Sequence, residues 1–359
     1  MIKILLLIDY SSEFDRKLLR GLVQYSKENG PWLFYRLPSY YSTMHGEQGI
    51  LKWAKEWKAD AIIGQWNNDT IDLQKELNIP VVLQNYHHRS VTYSNLTGDY
   101  KGTGRMAAQF FAKRMFRNFA YFGVKGVVWS DERCEGYRQE VKRIGGEFFS
   151  FESDKQEDEI RMEVSQWLQQ LPKPVALFCC DDAHALFISE TCKMTNIPIP
   201  EKIALLGVDN DELMCNISDP PISSIELEVE RGGYSIGRLI HQQIKKEHEG
   251  TFNIVINPIR IELRQSTEKH NIKDPYILEV VKYIDAHYSS DLTIESLLAN
   301  IPLSRRNFEV KFKHAMNTSI YQYILNCRVD HLADLLLTTN RPLADIAVDA
   351  GFKDYNNIS

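Results

Sequence analysis

Five apolar runs in this chain each end on a short string of polar side chains. Ile2–Ile8 runs into Asp9, Tyr10 and Ser11; Ala61-Ile62-Ile63-Gly64 into Gln65, Trp66, Asn67 and Asn68; Val81-Val82-Leu83 into Gln84, Asn85 and Tyr86. Further on, Val175–Phe178 leads to Cys180-Asp181-Asp182, and Ile203–Gly207 to Val208-Asp209-Asn210-Asp211. Carboxylates and amides accept from hydroxyl donors, one carboxylate can take two neighbouring hydroxyls, and flat rings such as Tyr10 and Trp66 cover the CH face of a sugar. Asp and Asn after a strand are also ordinary turn formers and helix N-caps, which is the commoner role for any one of them. Five ends with the same chemistry favour a ligand cleft, with Asp9, Tyr10, Gln65, Trp66 and Asn85 as binding candidates on its first side.

The kits of the common enzymes are missing. The chain has no Gly-x-Ser-x-Gly elbow, no Walker phosphate loop and no His-Glu-x-x-His. Gly102-Thr103-Gly104 lacks the third glycine of a dinucleotide fingerprint, and Asp181 and Asp182 are adjacent, so they point in different directions. His87-His88 and His184 read as isolated structural histidines, and Cys179-Cys180 as buried, inert thiols. No enzyme activity, no cofactor and no metal site is expected.

The elements that must position these residues follow from the apolar period. Short apolar runs bounded by Gly, Pro, Asn or Asp alternate with amphipathic stretches such as Glu13–Lys27 over the first 265 residues, the pattern of βαβ units and parallel sheets. Two such sheets with a cleft between them suit the length. From Ile277 the period turns helical: Ile277, Val280, Val281 and Ile284, then Ile294, Leu297, Leu298 and Ile301, then Phe308 and Phe312. Ser319–Leu337 is apolar on more than one side, and a last helix starts at Pro342 and ends at Gly351. An all-helical part over 275–359 therefore follows a polar linker.

At 359 residues and about 150 per domain, more than one core is expected. A net charge of −6 supplies no overall basic field, so any polyanion binding must be local. The six cysteines lack metal spacing and scaffold density, no run reaches the length of a membrane span, and Ile2–Ile8 lacks a cleavage site. A cytoplasmic protein with free thiols, making no membrane contact, is the expectation.

Several motifs occur in a telling order: Thr97-Gly98-Asp99-Tyr100-Lys101-Gly102, Ser130-Asp131-Glu132-Arg133-Cys134-Glu135-Gly136-Tyr137, the run from Ile197 to Asn210, Asp219-Pro220-Pro221-Ile222-Ser223-Ser224-Ile225, and Leu263-Arg264-Gln265-Ser266-Thr267. Together they resemble the sensor domain of the lactose/galactose repressor family, which implies a two-lobed periplasmic-binding-protein fold over residues 1–267. The implied lobes are about 1–115 with 224–248, and about 116–223 with 249–265. The same resemblance makes Arg133, Asp181 and Asp209 sugar contacts, although family members commonly have Asn where this chain has Asp181.

After a linker at 268–274, residues 275–359 resemble the AraC type of DNA-binding domain, two helix-turn-helix units joined by a long helix. Leu303-Ser304-Arg305-Arg306-Asn307-Phe308 opens the first reading helix, and Asp345-Ile346-Ala347-Val348-Asp349-Ala350-Gly351-Phe352-Lys353-Asp354 carries the signature of the second unit. The match to that type stops at Ser359, a few residues into the second reading helix, so an incomplete, frayed end with poor DNA affinity is expected.

With Phe308 and Phe312 inward, Arg306, Val310 and Lys313 share the opposite face and Glu309 lies beside them. Arg306 suits guanine, Glu309 cytosine N4 and Val310 a thymine methyl, while Arg305, Lys311 and Lys313 suit phosphates and Ser304 an N-cap beside one. Tyr355 and Asn356 would begin the second reading surface. Residues 275–359 hold eight Lys/Arg against ten Asp/Glu, net −2, whereas 303–315 is +3, so the order and spacing of motifs carry the DNA reading, not charge.

The two resemblances imply a sugar-responsive regulator, an activator of pentose catabolic genes with D-xylose first. Its partners would be a sugar effector, a double-stranded DNA operator, a second copy of itself as a homodimer and, by analogy, RNA polymerase. The alternative is a sugar-binding receptor without DNA function.

Overall fold

A computed structural model divides the chain into two compact units, Met1–Gln109 with Arg117–Glu268, and Phe110–Phe116 with Lys269–Ser359. The description covers residues 1–352 apart from 9, 38, 67–70, 86, 249, 269, 300 and 340, and only the backbone of 39–45 and 338.

In the first unit, β1 (Ile2–Leu7), α1 (Glu13–Asn29), β2 (Trp32–Arg36), α2 (Ser39–Trp57), β3 (Ala61–Gly64), α3 (Leu73–Leu77), β4 (Val81–Leu83), β5 (Ser94–Gly98) and α4 (Tyr100–Lys113, of which the end from Phe110 on counts with the second unit) come first. Then follow β6 (Asn118–Val124), α5 (Val128–Arg143), β7 (Glu147–Ser153), α6 (Glu157–Gln170), β8 (Val175–Cys179), α7 (Asp182–Met194), β9 (Ile203–Val208), α8 (Glu212–Ile217), β10 (Ser223–Leu227), α9 (Val229–Ile244), β11 (Asn253–Ile256) and β12 (Pro258–Glu262). Two six-stranded sheets result, in the orders β11-β5-β4-β3-β1-β2 and β12-β10-β9-β8-β6-β7, parallel throughout except for β12 against β10. This is the expected α/β architecture. Each sheet buries its own core: Leu5, Ile62 and Val81 in the first, Leu177, Ile188 and Leu205 in the second. Strands buried on both faces need continuous apolar runs, which is why β3, β8 and β9 were legible.

The crossings between sheets differ from those implied by the family resemblance. Residues 224–227 belong to the second sheet, because Ser224 and Ile225 pair with Gly207 and Val208 of β9. Conversely 253–256 belong to the first, where β11 pairs with β5 and Asn95 Nδ2 donates to Asn253 Oδ1 at 2.9 Å. Strands of only four and five residues, at a sheet edge for β11 and one place in from it for β10, leave little apolar pattern to show which sheet takes them.

The second unit contains α10 (Pro275–His287), α11 (Ile294–Leu298), α12 (Arg305–Met316), α13 (Ile320–Thr338) and α14 (Leu343–Asp349), with no strand among the described residues. Asp274, Thr293, Ser304 and Ser319 cap the first four of these helices through side-chain oxygens. Ile277, Val281, Ile284, Phe308 and Phe312 form one core, and Leu332, Ile346, Ala347 and Ala350 a smaller one. Asp285 on α10 is held by Tyr323 Oη at 2.8 Å and lies 3.2 Å from His270 Nε2.

Helices α1 and α9 touch backbone to backbone. A Cβ at Gly21 would stand 1.9 Å from the Glu230 carbonyl oxygen, and one at Gly233 would stand 2.1 Å from that of Leu18. Neither neighbour is a side chain that can turn away. Gly233→Ala should therefore destabilise the first unit by about 1–3 kcal/mol. Urea unfolding checks this; a midpoint equal to wild type would mean that the two helices can separate freely.

Candidate functional site

The carboxyl ends of the parallel strands carry the polar side chains that the sequence singles out, where ligands bind in open α/β sheets. On the second sheet Arg133, Asp181 and Asp209 come together. Arg133 leaves α5 and is only 4% exposed; its Nη1 donates to the Cys180 carbonyl, and its Nη2 lies 3.8 Å from Asp209 Oδ1. The rings of Tyr100 and Trp129 each stand 5.5 Å from its guanidinium carbon. Among the described residues, buried Arg133 Nε and Asp209 Oδ1 have no hydrogen-bond partner. Buried polar atoms are rarely left so, which makes the pair a ready donor and acceptor for a hydroxylated ligand.

Asp209 sits at φ 100° and Asn210 at φ 49°, conformations that favour glycine. Lys17 on α1 ties this turn to the first sheet, donating from Nζ to the Asp209 carbonyl at 2.7 Å. Burial raises the Asp209 pKa to about 6, with Arg133 pulling it back down. Asp182 does different work: Ser224 Oγ and the Asp211 amide donate to its two oxygens at 2.6 and 2.8 Å, and it is buried as a structural tie.

Asp181 caps α7, and its Oδ1 accepts from the His184 amide at 2.8 Å and lies 2.7 Å from His184 Nδ1. His184 is thus not isolated, as its lone place in the sequence suggested. Burial opposes its charge, but the Cys180 thiol and the Asp181 carboxylate carry its pKa well above the ordinary value. Burial would raise the Asp181 pKa, yet His184 and Arg133 hold it low. An Asp-x-x-His at a helix start was the overlooked signal. Lys17 and Tyr100 were missed too, and nothing in the local sequence links them to Asp209 or Arg133. Cys180, Asp181 and His184 offer ligand atoms within 4.8 Å of one another, enough to hold a cation, but Arg133 already supplies positive charge there.

On the first sheet, Tyr10 follows β1 with Arg36 stacked 5.1 Å over its ring, and burial raises its pKa to about 12. Gln65 and Asn85 follow β3 and β4, where Gln65 donates its amide to the Leu7 carbonyl and Asn85 Oδ1 accepts from the Trp66 amide. Trp66 departs from expectation. It is 4% exposed, packs in the core of the first sheet, and its Nε1 donates to the Ile71 carbonyl, so it presents no open face to a sugar. Asp9 lies outside the described residues, as do Tyr355 and Asn356.

In the second unit, α12 buries Phe308, Phe312 and Met316 and exposes Arg305, Arg306, Glu309, Val310 and Lys313. Ser304 Oγ accepts from the Asn307 amide as N-cap. Arg305 pairs with Glu295 and Glu309 at 2.9 and 3.0 Å. Lys311, expected on phosphate, is held 2.7 Å from Asp274 at the start of α10.

Residues 108–267 match the model of a periplasmic binding protein-like domain, and 297–359 that of a helix-turn-helix domain. The chain is homologous over nearly its whole length to xylose operon regulatory proteins. It is 24% identical over 363 residues to that of Escherichia coli (strain K12), covering 98% of this chain and 91% of the relative. The protein of the same name from Haemophilus influenzae is 23% identical, with 98% and 92% covered. A solved structure of a xylose-binding transcription activator, XylR, matches with a TM-score of 0.64 at 22% identity, covering 98% of this chain and 92% of that one. Both sequence resemblances are met, and the relatives named are regulators rather than enzymes.

The Asp181–His184 pair makes a measurable claim. With its folded pKa raised, His184 adds stability that is fully present below its unfolded value and lost as pH rises through the folded one. In an NMR titration His184 should stay protonated at pH 7. Asp181→Asn should lower its pKa while the capped helix persists. An unchanged pKa would remove the carboxylate as the cause.

Proposed function

We propose that this chain is a sugar-responsive transcription regulator: a sensor over 1–267 binds a small neutral sugar between its two lobes, and 275–359, after a linker at 268–274, binds an operator in double-stranded DNA. The observation that carries this reading is the buried Arg133–Asp209 pair with an open donor and an open acceptor, beside Asp181 and His184. Arg133 and His184 are matched by Asp181 and Asp209, and Asp9 adds a further carboxylate, so the site has no surplus positive charge, which suits a polyol better than a sugar phosphate. Arg133, Asp181 and Asp209 grip hydroxyls from the second sheet, and Tyr10, Gln65 and Asn85, with Asp9, complete the site from the first. The relatives named for xylose favour a pentose, D-xylose foremost, and activation in concert with RNA polymerase. The receptor alternative has no use for a helix that exposes Arg306 and Val310 over a buried Phe308–Phe312 seam.

The same reading makes the protein a homodimer. Leu213 and Ile217 on α8 are exposed by more than 60% each, at the edge of a pocket of about 840 Å³ that Arg16, Lys17 and Arg20 also line. A second copy is the occupant that would cover them. A cytoplasmic location follows from the function, and no helix among the described residues is long and apolar enough to cross a membrane.

Thermal unfolding against a panel of pentoses and hexoses tests the sensor, because a ligand of the folded state raises the midpoint by mass action. D-xylose should raise it, and Arg133→Ala or Asp209→Asn should abolish the shift while the fold stays intact. A hydroxyl donor needs Asp209 ionised. The affinity should therefore fall as pH drops below about 6, approaching about tenfold per pH unit. A panel without any shift would overturn the sugar reading.

For DNA, Arg306→Ala should cost about 1–3 kcal/mol at one operator position and relax preference there. Equal loss on random DNA would make Arg306 a phosphate contact instead.

A further inference from the structure

Arg89 lies in the connection between β4 and β5, on the first sheet's side, and Glu132 on α5, which follows the first strand of the second sheet. They meet as two parallel hydrogen bonds, Nη1 to Oε1 at 2.6 Å and Nη2 to Oε2 at 2.8 Å. An ordinary surface pair contributes little, since two long side chains must be ordered to make it. This arginine is already ordered on its own side. Its Nε donates to Thr97 Oγ1 at 2.9 Å, and its guanidinium carbon stands 5.7 Å from the Tyr100 ring. Both partners are about one-third exposed or less, and a pre-set fork on a carboxylate is the geometry in which an ion pair does count. A second tie runs beside it: His87 Nδ1 donates to the Gly126 carbonyl at 3.0 Å.

The pair is also wired to the ligand site. Tyr100 lies against Arg89 and against Arg133, and Arg133 is the next residue after Glu132. Whatever shifts Arg133 shifts the start of α5 and the carboxylate that Arg89 holds.

We infer that Arg89 and Glu132 form a latch between the two lobes, setting how much of the protein is closed before ligand arrives and hence the ligand concentration at which it responds. The inference rests on the sugar reading for its ligand but not for the latch itself. Binding to a state only partly populated is weakened by that fraction, so breaking the latch weakens binding without removing any ligand contact.

The test uses the whole chain, with Arg89→Glu, Glu132→Gln and the reversed pair Arg89→Glu with Glu132→Arg. Hydrogen exchange over 87–100 and 126–137 is read first without sugar, then D-xylose binding by calorimetry. Arg89→Glu and Glu132→Gln should each speed exchange there by about fivefold and weaken D-xylose by a similar factor, and the reversed pair should restore both to within about twofold. Circular dichroism identifies a variant that fails to fold, in which case Glu132→Gln, which keeps the size of the side chain, decides. Exchange unchanged in the single variants, or a reversed pair no better than Arg89→Glu, overturns the latch. If D-xylose does not bind the wild type, the sugar reading fails, and the exchange rates alone still decide for or against the latch.

Discussion

A guanidinium buried to 4% exposure has to be compensated, and the sensor is built around doing so for Arg133. Stripped of water, an arginine keeps its proton and must find acceptors within reach. The Cys180 carbonyl, the Asp209 carboxylate and the faces of Tyr100 and Trp129 answer that need from four different segments. The strand ends of β8 and β9 are thereby fixed against α5 and the start of α4. The compensation is incomplete by one donor and one acceptor, and that incompleteness is what gives the place a use. A fully satisfied arginine would be a structural rivet; this one still has valence to offer.

Much of the sensor could be read from the chain because fully buried strands advertise themselves. β1, β3, β4, β6, β8 and β9 are apolar runs, and the polar residues behind them are where the site stands. β2, β5 and β10–β12 escaped: β5 and β10 are largely buried yet carry hydroxyls and amides that read as loop, while β2, β11 and β12 are short strands at sheet edges. Side-chain direction was harder still. Trp66 follows a strand as Tyr10 does, yet it is buried in the same core as Leu73 and Val81, with its Nε1 donating to the Ile71 carbonyl. His184 has no other histidine near it in sequence, while in space Asp181, three residues earlier, is its partner. Pairings such as Lys17 with the Asp209 carbonyl span 192 positions and leave no local trace.

The helical unit shows the opposite balance. Its period of apolar residues fixed α10 through α14 closely, because each helix buries one face and the first four start on a capping Asp, Thr or Ser. Its charges were less legible. A cation on an exposed helix face can serve DNA or a neighbouring carboxylate, and Arg305 and Lys311 have taken carboxylates. What remains for a partner on α12 is a narrower surface than the count of basic residues suggests.

Asp181 holds two posts at once, as N-cap of α7 and as the anion beside His184. Asparagine caps a helix about as well as aspartate does, so the first post tolerates the exchange while the second does not. A lineage can therefore alter the charge at the mouth of this site by one substitution at little cost to folding. Ligand preference and structural integrity are separable at this position, and effector range can drift there while the scaffold stays put.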